Sequence, residues 1–496
     1  MSSMLQIDGT AVSPDHYING ERVASSKRFE LRSPIDQRVL GQVCEADAAQ
    51  VSNAVAAASA AFLAWAALTA AQRKPYLDRF AAEIGERAEA FCQLESIDAG
   101  VLLSRMRHGV VPRAMLNFTW FAEQALHLQN RTIETPQATH LIRHDPAGVV
   151  AIITPWNAPL MLATWKLGPA LASGNTVVLK PPEWAPLTSS LLADCAHAAG
   201  LPPGVFNVVQ GAGASTGVAL VSDPRLSRIS FTGSVATAKL VAQAAAANLV
   251  PCSLELGGKS AFIVLGDVAQ EPENALEQAA ATAALMYRNA GQVCLASTRL
   301  LVHVSVVDSF VERLKVQVQR LQVGDPRDAN TEIGPLIHPL QVERVHGFVQ
   351  RAVAAGATLL WGGDGHEFGA QYYQPTLLGN VKQSDEIVQN EVFGPVLTLQ
   401  TFKTDAECIA LANGCDLGLG GVCYGPVAHA TEIALAVRTG FIWVNSFGIR
   451  DLAAPFGGIK RSGIGREGGD WSFDFFCDVK DVVLPKQPFR ASFSHR

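Results

Sequence analysis

Ala147-Gly148-Val149-Val150-Ala151-Ile152-Ile153-Thr154-Pro155-Trp156-Asn157 is the stretch on which the fold turns. The apolar run Val149–Ile153 ends at Thr-Pro-Trp-Asn, and a helical stretch near 160–172 follows. The pattern then repeats. Apolar runs Thr176–Leu179, Phe206–Val209, Arg228–Phe231 and Ser253–Leu256 alternate with helical stretches near 186–199, 214–221 and 234–246. Such alternation is the pattern of a parallel sheet with crossover helices. Ligands of these sheets bind outside the carboxyl ends of the strands. Phe231-Thr232-Gly233-Ser234 is one such end, and it opens a helix whose free N–H groups suit a pyrophosphate. Gly211-Ala212-Gly213-Ala214-Ser215-Thr216-Gly217 lacks the full G-x-G-x-x-G spacing and reads as turn glycines.

Working outward, a second α/β unit is predicted after Gly258. Its helices lie near 272–290, 307–321, 340–354, 405–413 and 429–438, with strands Thr298–Val302 and Leu397–Phe402. Upstream, Tyr17-Ile18, Asn19-Gly20 and Arg22-Val23 read as a hairpin with its turn at Asn-Gly. Val51, Val55, Ala58, Phe62 and Trp65 share one helix face. Leu77, Phe80, Ile84, Ala88, Phe91 and Leu94 share the face of a second helix, with Pro75 near its start. Residues 131–144 read as a protruding strand pair and a candidate subunit contact, and Val479–Leu484 reads as a last strand.

At 496 residues the chain exceeds one ordinary domain, and its 48% hydrophobic content is ample for large cores. No run of about 20 uncharged apolar residues is read, so no membrane partner is expected. The N-terminus lacks a basic segment followed by an apolar block, so no signal peptide is expected. A net charge of -6 without a basic cluster argues against nucleic acid. The nine cysteines are scattered, and none forms C-x-x-C. They point to a reduced, cytoplasmic protein whose cysteines are mostly packing residues, and no metal-ligand set is read.

Cys294 departs from that pattern. It closes Tyr287-Arg288-Asn289-Ala290-Gly291-Gln292-Val293-Cys294, whose small residues let a substrate and a cofactor approach sulfur closely. A thiol near a helix terminus or in a positive field is activated as a nucleophile. Addition of sulfur to a carbonyl makes an oxyanion that needs preorganised donors, and Asn157 supplies an amide at a strand's carboxyl end. Glu255, just before Leu-Gly-Gly, sits at a strand end where burial raises a carboxyl pKa and suits it to general-base work. A packing cysteine, a turn asparagine and a structural salt bridge are the plain alternatives.

Pro155-Trp156-Asn157, Leu254-Glu255-Leu256-Gly257-Gly258-Lys259, Gly291-Gln292-Val293-Cys294 and Glu391-Val392-Phe393-Gly394-Pro395-Val396, in this order, resemble the NAD(P)-dependent aldehyde dehydrogenase superfamily. Pro455-Phe456-Gly457-Gly458-Ile459-Lys460 adds to the match, which runs from about Tyr17 to Leu484. The resemblance implies a Rossmann-type NAD domain (1–125 and 147–258) and an α/β catalytic domain (259–476). It also implies a small β oligomerisation element (126–146 and 477–496) in a homodimer or homotetramer, with the last strand joining a neighbouring subunit's protruding pair. Cys294 would be the nucleophile, Asn157 and the Cys294 N–H the oxyanion donors, and Glu255 the base that activates water. NAD would lie against Ile153, Thr154, Pro155, Trp156, Phe231, Gly233, Ser234 and Leu256. Lys180 and Glu183 would meet the adenosine ribose, Glu391 the nicotinamide ribose, and Phe393 the nicotinamide. A carboxylate at Glu183 would repel a 2′-phosphate and so favours NAD over NADP.

Some positions carry more particular implications. Ala238 stands where the family usually has a second glycine. Extra residues between Glu255 and Cys294 are expected at Glu271-Pro272-Glu273. Lys166 and Glu467 resemble a pair proposed in the family for proton relay, and an ion pair explains them equally well. Val111-Pro112-Arg113 and Arg450-Asp451-Leu452 look like the branch that oxidises muconic-type semialdehydes. There, Arg113 and Arg450 would hold the substrate's distal carboxylate bidentately. Thr119 and Ala453-Ala454 depart from that branch. The plain reading pairs Arg450 with Asp451 or another internal acid and leaves Arg113 in solvent. A neutral aldehyde, a CoA-acylating reaction, a non-catalytic nucleotide-binding relative and a thiol hydrolase are the rival functions.

Overall fold

The computed structural model describes residues 3–128, 131–270 and 274–489. The expected insertion at Glu271-Pro272-Glu273 lies outside the described residues, as do 129–130 and the end of the chain from 490.

The first sheet runs in the order Gly463–Ile464, Cys252–Leu256, Leu226–Gly233, Val149–Ile153, Thr176–Lys180, Phe206–Val208, His16–Ile18, Glu21–Val23. The strands from Cys252–Leu256 to Phe206–Val208 are mutually parallel. Val149–Ile153 and Thr176–Lys180 are buried throughout, because helices cover both sheet faces, so they read as continuous apolar runs. From Val149–Ile153 the chain winds one way to Phe206–Val208, then crosses back to Leu226–Gly233 on the other side. That reversal opens a crevice at the carboxyl ends of Val149–Ile153 and Leu226–Gly233. At the far edge, Asn19 (φ 53°) and Gly20 (φ 83°) turn the hairpin with the two left-handed residues that its twist requires.

The second sheet runs Thr358–Trp361, Thr376–Gly379, Val396–Phe402, Arg299–His303, Ala261–Val264, Gly421–Tyr424, Trp443–Val444 and is parallel apart from its first strand. Ala261–Val264, Thr376–Gly379 and Gly421–Tyr424 go unread in the sequence, since short apolar runs without alternation give no period.

Helix Ala48–Ala66 begins at a capping box between Asp47 and Gln50 and buries Val51, Ala54, Val55, Ala58 and Trp65. None of its 19 residues is charged, so by length and composition alone it could cross a bilayer, a run the sequence reading passes over. The single helix expected over Leu77 to Leu94 is two, Ala70–Glu86 and Ala88–Ala99, broken at Arg87 (φ -104°, ψ 18°). The apolar positions stay in phase across the break, so periodicity does not register it. Pro75 sits inside the first of these helices rather than at its first turn.

One boundary and one strand pairing also differ from expectation. Gly463–Ile464 pairs with Cys252–Leu256, and Phe473 and Phe476 join the first core, so 463–476 packs with the first unit. The last strand, Cys477–Pro485, pairs along its length with Ala138–Pro146 of the same chain, which in turn pairs with Arg131–Glu134. Helix Gly469–Phe476 delivers it there: the Phe476 carbonyl accepts from the Ala147 N–H (3.2 Å) and Asn175 Nδ2 (2.9 Å).

Helices Val111–Leu126 and Pro159–Ala172 pack closely through Gly168, where a Cβ would lie 2.7 Å from the Asn117 carbonyl oxygen. Gly168→Ala is expected to destabilise the fold by about 1–3 kcal/mol through overpacking. A thermal melt checks this, and an unchanged Tm would refute the contact.

Candidate active site

Helix Ala275–Ala284 gives way to a tight turn, Leu285–Gly291, in which Asn289 (φ 55°), Ala290 (φ 53°) and Gly291 (φ 68°) are left-handed in succession. Such residues persist only where their surroundings over-determine them. At Gly291 a Cβ would lie 2.1 Å from the Gly394 carbonyl oxygen, so no side chain fits. The next residue, Gln292, is buried and held from several sides. Its Nε2 donates to the Asn289 carbonyl (3.1 Å) and the Pro335 carbonyl (3.3 Å), and its Oε1 accepts from the Ile337 N–H (2.9 Å). Its own carbonyl accepts from Asn157 Nδ2 (2.9 Å), while Asn289 Nδ2 donates to the Asn157 carbonyl (3.2 Å). The Asn157 and Cys294 loops are thereby locked together. No local sequence signal marks this hold on Gln292, because its partners Pro335 and Ile337 lie in another segment.

Cys294 is half-buried where two cavities meet, and Thr232 and Leu256 line both. The larger, about 970 Å³, lies over the crevice of the first sheet. Of the expected cofactor residues, Pro155, Trp156, Gly233, Ser234, Leu256, Glu391 and Phe393 line it. Ser234 caps helix Val235–Ala247 by accepting from the Thr237 N–H (3.1 Å), and other first-turn N–H groups stay free of intrahelical partners. Ala238 faces the core and is absent from the cavity wall, so the missing glycine leaves the cavity unchanged. Glu391 Oε1 accepts from the Gly258 N–H (3.0 Å), and burial pushes its carboxyl up to about 7 against the pull of that N–H and of Lys259. Phe393 (φ 60°) meets the Trp156 ring edge to face at 5.2 Å. A helix N-terminus for phosphates, a half-buried carboxylate for a ribose diol and an aromatic wall for a flat ring fit a dinucleotide.

Ile153, Thr154 and Phe231 lie buried at the strand ends beneath this cavity. Lys180 and Glu183 stand at the next strand end and do not line it. Lys180 Nζ donates to the Pro181 carbonyl (2.8 Å) and reaches Glu183 Oε2 (3.4 Å), and the Glu183 side chain is 39% exposed. Among the wall residues that went unread are Trp184, Gln341 and Arg344. Trp184 stacks on His338 at 4.4 Å, and Gln341 and Arg344 hold the Phe393 and Glu391 carbonyls at 2.7 and 2.8 Å. Gln341 and Arg344 lie on helix Pro339–Ala354, where polar residues read as a solvated face.

The smaller cavity, about 530 Å³, holds Glu255, Glu467, Trp165, Phe447, Phe456 and four arginines. Glu255 is 4% exposed, and neither carboxylate oxygen has a hydrogen-bond partner among the described residues. Burial pushes its carboxyl well above the usual range and Glu467 adds to the rise, while Lys166, Arg466 and Arg450 oppose it. Burial likewise pushes the Cys294 thiol up to about 12, and Glu391 adds to this while Arg450 opposes it. The expected activation by a positive field is therefore outweighed, and sulfur rests as the thiol. Glu467 is ion-paired with Lys166 and accepts from Trp165 Nε1 (2.6 Å).

Arg113 and Arg450 line the smaller cavity, with their guanidinium carbons 5.3 and 5.0 Å from the centre of one ring, that of Trp165. Arg450 also lies 3.9 Å over Phe456, and Arg113 Nε donates to Asn117 Oδ1 (3.1 Å). Among the described residues neither has a carboxylate within 4.0 Å, and Asp451 Oδ1 instead accepts from the Ala453 N–H (2.8 Å). The plain reading of Arg450 paired with Asp451 is not what the structure contains.

A thiol between a cavity that fits a dinucleotide and a cavity with an unpartnered carboxyl is an arrangement that suits a cofactor-dependent oxidoreductase. The profile of the aldehyde dehydrogenase family matches residues 22–482. The chain is 39% identical to 2-hydroxymuconic semialdehyde dehydrogenase of Pseudomonas sp. strain CF600, over 95% of this chain and 99% of that one. It is also 39% identical to mitochondrial benzaldehyde dehydrogenase of Antirrhinum majus, over 94% and 88% respectively. Among solved structures, P. syringae AldA, an indole-3-acetaldehyde dehydrogenase in complex with NAD+ and IAA, superposes with a TM-score of 0.93. It is 36% identical, with 96% of this chain and 98% of that one covered. The chain belongs to the aldehyde dehydrogenase family.

The raised carboxyl of Glu255 has a consequence for stability. Its folded pKa exceeds the unfolded value, so between the two the folded state holds the extra proton and stability falls as pH rises. Glu255→Gln removes that loss. Its Tm is expected to gain on the wild type as pH rises from about 5 to about 8. A difference that stays flat or shrinks over that range would contradict the burial argument.

Proposed function

We propose that the protein oxidises a carboxylate-bearing semialdehyde to the corresponding acid, with NAD as hydride acceptor and water as second reactant. One observation carries the reading: Cys294 stands between a cavity that suits a dinucleotide and a cavity holding an unpartnered Glu255 and the acid-free pair Arg113 and Arg450.

The Cys294 thiol loses its proton to bulk water as its sulfur adds to the aldehyde carbon, and Asn157 Nδ2 with the Cys294 N–H donates to the oxyanion. NAD, when bound, supplies the hydride acceptor. The carbon left on Cys294 is then an acyl group in a thioester. Glu255 takes a proton from water, whose oxygen attacks that carbon and frees the acid and the thiol. Gly233, Ser234 and the Val235–Ala247 N-terminus would hold the pyrophosphate, Glu391 the nicotinamide ribose, and Phe393 and Trp156 the nicotinamide face. Lys180 and Glu183 would meet the other ribose, and the carboxylate favours NAD over NADP. The exposed strand Cys477–Pro485, with Val479, Val482, Val483 and Leu484 open to solvent, supports self-association as a homodimer or homotetramer.

Trp165, Phe447 and Phe456 in the same cavity favour a second reading, a neutral aromatic aldehyde. The test compares kcat/KM for a carboxylate-bearing semialdehyde and a neutral aldehyde of similar length. Arg113→Ala and Arg450→Ala are expected to cost about 1.5–3 kcal/mol more for the acidic substrate. Cys294→Ala is expected to abolish both oxidations and leave NAD binding. Equal losses for the two substrates would make the arginines structural.

A further inference from the structure

The helical segment that carries Arg113 carries a second cavity-lining arginine before it. Arg105, Gly109 and Arg113 recur every fourth residue, and all three line the smaller cavity. Met106–Val110, between them, is a π-helical turn. Four α-helical residues overshoot a full turn by about 40°. Four residues of a π turn, which holds more residues, undershoot it. The π turn thus brings Arg105 back onto the face of Arg113. Gly109 keeps the space between them open, since nothing lies within 4 Å of where its Cβ would stand.

Arg107, on the same segment, shows what an acid partner does: Glu89 holds it with two hydrogen bonds of 2.7 and 3.1 Å, and it takes no part in the cavity. Arg105 has no such partner among the described residues. Nor has Arg288, which lines the same cavity from the turn before Cys294. Both are exposed, so they stand where the cavity opens to water. Glu95, whose field reaches Arg105, is already engaged by the Leu160 N–H and the Thr188 hydroxyl. Two guanidiniums that line one cavity mouth without an acid between them are an unfavourable arrangement that an anion would relieve.

We propose that Arg105 and Arg288 form a second anion subsite, so that the preferred substrate is a semialdehyde with two carboxylates, one at Arg113 and Arg450 and one at Arg105 and Arg288. This rests on the reading of the inner pair given above. Arg105 and Arg113 are roughly 12 Å apart along the segment, a span that their long side chains shorten. An extended or branched dicarboxylate therefore reaches both pairs.

The test uses the full-length enzyme with NAD and three aldehydes of matched length, bearing no, one and two carboxylates. The wild type is expected to favour the dicarboxylate over the monocarboxylate on the order of tenfold in kcat/KM. Arg105→Gln and Arg288→Gln are expected to collapse that ratio toward one through KM, with Arg105→Lys restoring part of it. Arg450→Gln is expected instead to lower both acids against the neutral aldehyde. Equal wild-type use of both acids, or outer variants that lower all three aldehydes alike, would overturn the second subsite. If the outer variants collapse the ratio but Arg450→Gln fails to separate acids from the neutral aldehyde, the outer subsite stands and the inner clamp falls.

Discussion

A buried amide, that of Gln292, ties two separate parts of the chain, the 335–337 segment and the Asn157 loop, to the loop of Cys294. Its side chain joins the Asn289, Pro335 and Ile337 backbones, and its carbonyl receives the Asn157 amide. The left-handed run Asn289-Ala290-Gly291 would relax in an isolated peptide, because each non-glycine in that conformation costs about 1–2 kcal/mol. Held by Gln292 and pressed against Gly394, it stays in place and sets sulfur at the meeting point of both cavities. The same bonds tie the Asn157 amide to the Cys294 loop, so in the proposed mechanism oxyanion donor and nucleophile are positioned by one device.

Around that device the protein keeps charge under strain. Glu255 is buried without a partner, and its nearest relief is protonation. Four arginines line a small cavity in a chain of net charge -6, and none of them is ion-paired among the described residues. In the proposed mechanism both arrangements would be relieved by what enters: water at Glu255, anionic groups at the arginines. Lys166 and Glu467, close by, are buried and ion-paired with one another, whereas Glu255 and the four arginines have no ion pair among the described residues.

The strands of the first sheet were legible because both faces are covered, which forces unbroken apolar runs between turns. The loop ends that carry Asn157, Glu255 and Cys294 were legible through local chemistry and the family's motifs. What stayed hidden depends on partners distant in sequence. Whether Arg107 or Arg105 has an acid is decided by Glu89 and by the π turn, and neither is a local signal. The left-handed turn at Asn289 and the hold on Gln292 come from Pro335 and Ile337 in another segment. The pairing of Cys477–Pro485 within its own chain is likewise set by the helix before it, which no strand pattern encodes.

The account stands most directly on the division of labour between Cys294 and Glu255. The measurement is a rapid-mixing experiment on Glu255→Gln with saturating NAD and an acidic semialdehyde, followed by mass analysis of the Cys294 peptide. Loss of a general base slows its step by about 10²–10⁴-fold. One equivalent of NADH is expected to form per active site and then stall, with the acyl group on Cys294. Sustained turnover at the wild-type rate, or a burst that leaves Cys294 unmodified, would contradict it.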